Sequence, residues 1–389
     1  MAVTGLRKYF GSNDGFFNVA ASWRWISIRS AEYTWMQSGA DSNAYYLKRA
    51  DGTIPDGLIS AQVYSELALR GTLLPSSTWP LEAGTWKTDD KDSLGKDTIY
   101  VRLPASEPSP DPDNLLLDAL TYRAVPQSVD AVIFDDASGS LTGDFTQAMY
   151  CAEFTTTASY RGKLGKDGSP LVIWGADSLM LDGSGEHYIA FADGQSINPE
   201  VHIGTQSRQG PTVFLRSNYA NTVVRIRGGQ LFMPDRLDAT SLLKRLEMWG
   251  EESDVVLRRG VQMTANDSQI IVEAGRATFR HVFSPPNGNI QIYGGRVDFQ
   301  EPFTLTGTGN GISVLGGTVS VRTTKYIRKI VLQSLRQTGR LPLLDMATGV
   351  DVNVGEVELW EGVVRTDSFN GGAPTITLSG MQEIQVRKL

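Results

Sequence analysis

The sequence has a single cysteine, Cys151, and three scattered histidines, His187, His202 and His281. One thiol cannot form an internal disulfide, and the histidines do not have the spacing of a zinc site. A Gly-x-Ser-x-Gly nucleophile motif, a phosphate-binding loop and a dinucleotide fingerprint are also missing. We therefore expect no catalytic residues, no cofactor and no metal site.

Long apolar runs and blocks of one charge are missing too. The first ten residues lack the apolar run of a signal peptide, and no charge-free stretch reaches the roughly 18 apolar residues of a membrane span. The net charge is −7 without a basic cluster, which argues against binding to nucleic acid. We expect a protein made in the cytoplasm, with neither nucleic acid nor a membrane as partner.

Glycine, in contrast, is abundant at 40 residues, and its placement forms a repeat. Four segments share the pattern apolar-x-apolar-x-x-Gly-x-apolar-x-apolar. They are residues 224–233, 270–279, 290–299 and 312–321, with Gly229, Gly275, Gly295 and Gly317 at the shared position. Residues 255–263 around Gly260 and residues 352–361, with Val357 at the glycine position, are weaker copies.

This repeat predicts an all-β fold. Apolar alternation with a period of two indicates strands with one buried face, and the glycine marks a corner. The motif glycines, counting Gly260, are 31, 15, 20 and 22 residues apart. A coil of about 20 residues cannot bury its apolar face alone and must stack on the next coil. We predict a parallel β-solenoid, a right-handed β-helix, over residues 115–389. A β-sandwich is the alternative, since Asn-Gly pairs at 287–288 and 310–311 suit hairpins.

Several segments around the repeat have their own predictions. Residues 131–136 and 170–174 are expected to be the first strands of the solenoid, and residues 179–191 its first full coil. Residues 241–249 and 326–337 carry apolar residues three and four apart, which predicts a short helix or a long turn in each. The second of these is basic and forms either a solvated face or a contact surface.

The front of the chain is rich in tryptophan. Five of the eight tryptophans precede residue 90: Trp23, Trp25, Trp35, Trp79 and Trp86. We predict a small Trp-rich β domain over residues 1–103 that serves attachment or assembly, with a strand at residues 97–103. Its tryptophans form a core or contact a partner or glycan. Residues 104–114 contain four prolines and predict an extended linker.

Glycan cleavage is the catalytic alternative, because paired carboxylates can protonate and attack a glycosidic bond. Candidate pairs on neighbouring coils are Asp254 with Glu273 and Asp298 with Glu301. With 43 acidic residues, ordinary surface carboxylates would give the same pattern. The acidic run at residues 251–254 is expected to cap a turn.

A family resemblance follows from these segments taken together. Residues 81–87 and 97–104, then residues 131–136 and the glycine-cornered coils, resemble β-helical virion proteins of tailed bacteriophages. The resemblance implies a rigid structural or adhesive protein, commonly a homotrimer, and brings no catalytic residues. It implies a structural protein of the virion, displayed on the capsid surface as a decoration, cement or spike protein and in contact with other virion proteins, the major capsid protein among them. A tailspike that binds or cleaves a host surface glycan is the second hypothesis. A bacterial surface adhesin is the third, weakened because no secretion signal is seen.

Overall fold

The computed structural model divides the chain into two compact units. One comprises Met1–Thr155 with Ile173–Ala176, and the other Thr156–Val172 with Asp177–Leu389. The structure describes residues 7–11, 17–18, 22–24, 26–27, 33–49, 62–65, 74–75, 78–94, 98–102, 120–123, 125–205, 209–235, 239–258, 260–263, 267–280, 289–300, 304–305, 311–321, 326–334, 341–345, 354–365 and 375–378. The predicted linker, residues 104–114, lies outside these residues, so the domain boundaries stay a prediction.

All regular structure in the described residues consists of short β-strands. In chain order they begin with β1 (Arg7–Tyr9), β2 (Ile26–Ser27), β3 (Tyr33–Gln37), β4 (Tyr45–Arg49), β5 (Gln62–Ser65), β6 (Leu74–Pro75), β7 (Thr85–Asp89), β8 (Thr98–Arg102), β9 (Leu120–Arg123), β10 (Ala131–Phe134), β11 (Met149–Tyr150), β12 (Glu153–Thr156), β13 (Leu171–Trp174), β14 (Ser178–Leu181), β15 (Glu186–Phe191), β16 (Glu200–Ile203), β17 (Thr212–Arg216) and β18 (Val223–Ile226). They continue with β19 (Gly229–Met233), β20 (Ser241–Leu242), β21 (Arg245–Met248), β22 (Ser253–Leu257), β23 (Val261–Gln262), β24 (Gln269–Val272), β25 (Arg276–Phe279), β26 (Asn289–Ile292), β27 (Arg296–Phe299), β28 (Thr304–Leu305), β29 (Ile312–Val314), β30 (Thr318–Val321), β31 (Tyr326–Leu332), β32 (Leu343–Asp345), β33 (Val354–Leu359), β34 (Val363–Arg365) and β35 (Thr375–Leu378).

The second unit is a stack of coils. Its first sheet has the parallel order β14, β16, β18, β21, β24, β26, β29, β31, β33, β35, and β28 also pairs with β31. Its second sheet has the parallel order β15, β17, β19, β22, β25, β27, β30, β32, β34. The chain alternates between the two sheets, so each coil lays one strand on each. This confirms the predicted parallel β-solenoid; its right-handed sense stays a prediction.

The interior of the solenoid is filled by columns of apolar side chains. In the first sheet one column joins Val224, Leu246, Ile270 and Ile290 in register, and all four side chains are buried. Equivalent inward positions on successive strands place similar side chains in contact. Such contacts between neighbouring strands stabilise the sheet. Burial of each such side chain contributes about 1.5–3 kcal/mol.

The predicted first coil is confirmed at residues 179–191. β14 and β15 flank a tight corner at Asp182, and Gly183 there has a φ of 90°. The predicted first strands also form, as β10 and β13.

The corner glycines stack, but with one correction to the predicted alignment. Gly229 pairs with Ser253 on the next coil, and Ser253 is followed in the column by Gly275, Gly295 and Gly317. Gly260 comes after β22 at a different corner, so the alignment of residues 255–263 on Gly260 was wrong. A serine holds the corner position in that coil, so glycine spacing alone could not locate it.

The last repeat was also misaligned. Val357 lies inside β33 and is buried, whereas the corner is formed by Gly362 immediately before β34. The residue after it, Val363, pairs with Leu343 of the preceding coil. The glycine therefore exists in this coil, five residues later than the sequence comparison placed it.

The described parts of the two segments predicted as a helix or a long turn form strands. Residues 241–249 form β20 and β21, and residues 326–332 form β31, and the described residues contain no helix. In β31, Ile327 pairs with β28 whereas Ile330 pairs with β29, so the change of partner puts two buried side chains three residues apart. The backbone hydrogen bonds to the neighbouring coils outweigh the local preference for a helix that this spacing indicates.

The first unit contains a small, mainly antiparallel sheet in the order β3, β4, β8, β7, β6. Strand β8 confirms the strand predicted at residues 97–103. Trp23, Trp35 and Trp86 are buried, which confirms the core interpretation for these three. Trp79 is half-buried against Tyr100, and Trp25 lies outside the described residues. Strand β1 is not part of this sheet, because it pairs in parallel with β10.

Candidate functional site

One corner of the solenoid carries a column of large side chains. The first residue after each strand of the first sheet donates its backbone N–H to the coil before it: Trp249 to Ile226, Glu273 to Met248 and Tyr293 to Val272, at 3.0, 2.8 and 2.8 Å. Arg227 and Leu315 make the same bond in their coils. We call Arg227, Trp249, Glu273, Tyr293 and Leu315 the corner column. Successive members are one strand spacing apart, about 4.8 Å.

The corner after β21 is longer than its neighbours. Four residues separate Met248 from Ser253, whereas two residues separate Val272 from the equivalent Gly275. The longer corner contains Glu251 and Glu252, both exposed. The predicted turn at residues 251–254 is thus confirmed for its first two residues, but it projects carboxylates beside the corner column.

An open groove runs along this corner. Two adjoining depressions of about 610 and 630 Å³ share Glu251 and Glu273 in their walls. The first also contacts Arg227, Trp249 and Glu252, and the second Tyr293 and Arg296. Much of the remaining lining is glycine and alanine, which leaves the space open: Gly250, Ala274, Gly275, Gly294, Gly295 and Gly316. We call this the corner groove.

The charges of the corner groove are unbalanced. The Arg227 guanidinium lies 4.9 Å from the centre of the Trp249 ring, and Nε of Arg296 donates to Asp298 at 2.8 Å. Among the described residues, no side-chain hydrogen bond or ion pair engages Glu251, Glu252 or Glu273. Three exposed carboxylates therefore face one arginine whose charge is not already paired.

The structure puts the two members of the first predicted carboxylate pair on different elements and buries one member of the second pair. Asp254 lies on β22 of the second sheet, whereas Glu273 lies at the corner after β24 of the first. Asp298 is fully buried and binds Arg276 at 2.9 Å and Arg296 at 2.8 Å. A carboxylate that is buried and doubly paired cannot reach a glycosidic bond. Its predicted partner Glu301 lies outside the described residues.

A second group of aromatic side chains packs against other side chains of the protein. On the second sheet Tyr188, Phe214 and Phe232 stack at 4.3 and 4.9 Å with nearly parallel rings. The Arg258 guanidinium lies 4.8 Å from the Phe232 ring centre. Both faces of Phe214 are covered by its neighbours, so this stack reinforces the sheet and offers no flat ring to a ligand.

The basic segment at residues 322–340 is only partly described. Arg328 is exposed, and Lys329 pairs with Glu356 at 3.4 Å and also with Glu358. These contacts agree with the solvated-face interpretation for the described part. The other basic residues of the segment lie outside the described residues.

The described residues also contain no cluster of three or more histidine, cysteine, aspartate or glutamate side chains able to hold a metal ion. No helix in the described part of the chain is long and apolar enough to cross a membrane. The predicted absence of metal, cofactor and catalytic residues stays a prediction.

No protein-family model, curated protein or solved structure matches the chain. The fold defines the protein as a parallel β-solenoid with a small antiparallel sheet near its N-terminus.

Proposed function

We propose that this protein is a structural component of a tailed-bacteriophage virion, displayed on the particle surface and more specifically on the head. The observation that supports this is the solenoid itself, two long parallel sheets around a filled interior. Such a stack is rigid without disulfides or metals and presents long faces to partners. The head location rests on the family resemblance.

The test is to locate the protein on the particle. An antibody against the solenoid, coupled to gold, is applied to purified virions and imaged by electron microscopy. The proposal predicts label over the head surface. Label confined to the tail tip would overturn the head assignment in favour of a tailspike, and unlabelled virions would overturn a virion role altogether.

We propose carbohydrate binding at the corner groove as a second function. Trp249 and Tyr293 are two coils apart, about 9.6 Å at one strand spacing per coil, with the Glu273 carboxylate between them. Aromatic rings bind the apolar faces of sugars while neighbouring carboxylates accept hydroxyl hydrogen bonds. All three groove glutamates are exposed, and none lies in an apolar pocket of the kind that surrounds the general acid of a glycosidase. This favours binding without cleavage.

A glycan array probed with the full chain tests this second function. Trp249→Ala and Tyr293→Ala should each lower affinity for bound glycans about tenfold, because each removes one ring contact. Trp360→Ala is the matched control: Trp360 occupies the same corner in a later coil and is exposed, but it does not line the groove. Equal losses in all three variants, or release of oligosaccharide, would contradict a binding groove at this position.

A further inference from the structure

The corner groove has a charge that restricts its ligands. Glu251 belongs to both halves of the groove, Glu252 to one half, and Glu273 to both. Arg296 is bound to the buried Asp298, and the Arg227 guanidinium lies over one face of the half-buried Trp249 ring. An acidic ligand would bring its charges against three carboxylates without a matching set of free cations.

The length of the groove indicates an extended ligand. The corner column advances by one strand spacing per coil, so Arg227 and Leu315 are about 19 Å apart along the stack. The rings of Trp249 and Tyr293 lie within this length on alternate coils, and Glu273 lies on the coil between them. The arrangement repeats ring, carboxylate, ring in the direction of the solenoid axis.

We infer that the ligand of the corner groove is a linear glycan that carries free amino groups and no acidic groups. This rests on the carbohydrate-binding function proposed above and names its ligand class. Protonated amino groups donate charge-assisted hydrogen bonds to Glu251 and Glu273, while sugar faces stack on Trp249 and Tyr293. The glycan chain lies parallel to the solenoid axis, with at least two sugars in contact with the rings.

Three oligosaccharide series distinguish this inference from its alternatives. The full chain is titrated by calorimetry with oligomers of glucosamine, of N-acetylglucosamine and of galacturonic acid, which are amino, neutral and acidic. The inference predicts the tightest binding for glucosamine oligomers, weaker binding for the neutral series and none for the acidic series. Raising the salt concentration should weaken only the glucosamine complex, since screening acts on the charge contacts.

Variants separate the charge contribution from the ring contribution. Glu251→Gln with Glu273→Gln should lower glucosamine-oligomer affinity about tenfold and leave the neutral series unchanged. Glu356→Gln, a carboxylate on the outer face of β33, is the matched control and should change neither. Acidic oligomers that bind as well as glucosamine oligomers, or a neutral series that binds equally, would overturn the inference while leaving carbohydrate binding intact. Failure of all three series would overturn the carbohydrate-binding function itself.

Discussion

His187 is a buried histidine at the start of the solenoid interior. In its inward column Leu164 comes before it and Val213 follows it on the next coil, and its ring stacks on the buried Tyr160 at 5.7 Å. Neither ring nitrogen makes a hydrogen bond of good geometry within the described part of the chain. Burial lowers the pKa of His187 to about 4, although the Glu186 backbone favours the protonated form.

This histidine makes stability depend on pH. Between pH 6.5 and 4 the unfolded chain binds a proton at His187 that the folded chain does not, so the free energy of unfolding falls as the pH falls. The contribution is about 2–3 kcal/mol across that window. Urea unfolding of His187→Leu at pH 7 and pH 4 should show a pH dependence smaller by that amount than the wild type. An unchanged pH dependence would show that His187 is not buried in the neutral form.

Gly295 is a corner residue at which a side chain should be harmful. Its φ is 69°, and a β-carbon there would lie 2.5 Å from the Gly275 carbonyl oxygen. Gly295→Ala should lower the unfolding free energy by about 1–3 kcal/mol. Gly143→Ala is the control, because its β-carbon would meet its nearest atom at 3.6 Å, and it should change stability by less than about 0.5 kcal/mol. Thermal melts with equal small shifts for both would contradict the corner assignment.

At the scale of elements, neighbouring coils are tied by a buried carboxylate. Asp298 on β27 accepts from Arg276 of the preceding coil and from Arg296 of its own strand. Without this carboxylate the two guanidinium groups, which are on paired positions, would repel each other. The tie therefore fixes the register of β25 and β27.

Removing that tie should cost more than removing a surface pair. Asp298→Asn is predicted to lower the unfolding free energy by about 1–3 kcal/mol, because the side chain is fully buried and the neutral amide keeps one acceptor oxygen for two guanidinium partners. Glu358→Gln removes a partly exposed ion pair with Lys329 and should cost less than about 1 kcal/mol. Chemical denaturation of both variants measures the two losses of unfolding free energy, so that they can be compared. A larger loss for Glu358→Gln would contradict the role given to Asp298.

The sequence predicted the solenoid because alternation and glycine corners are local signals that recur in most coils. It could not predict the coil in which Ser253 replaces the glycine, nor the change of partner strand that makes β31 look helical. The corner groove was missed for the same reason, since Trp249 and Glu251 belong to the misaligned coil. Alignment on the strands would have found it: Trp249 follows Leu246-Glu-Met as Tyr293 follows Ile290-Gln-Ile. The sequence could not distinguish the carboxylates of Asp298 and Glu273. The structure distinguishes them, because Asp298 is buried and Glu273 is exposed.

At the scale of the whole molecule, function is proposed to follow from repetition. Each coil contacts only its neighbours. A surface residue on one coil therefore has an equivalent on the next coil, one strand spacing further along the solenoid axis, where it is kept or replaced. The corner column shows this variation, with arginine, tryptophan, glutamate and tyrosine on successive coils. A ligand or a virion partner that binds several members of this column must extend along the solenoid axis.

The distances along the corner column test the account most directly. Spin labels are placed on cysteines at Arg227 and at one of Leu315, Gln333 or Trp360, and pairwise distances are measured by electron spin resonance. The native Cys151 is fully buried, and burial raises the pKa of its thiol, so it should remain unlabelled. The stacked corner predicts distances that increase in equal steps, about 19, 24 and 29 Å for the three pairs. Distances that do not increase from Leu315 to Gln333 to Trp360 would contradict the solenoid and the groove together.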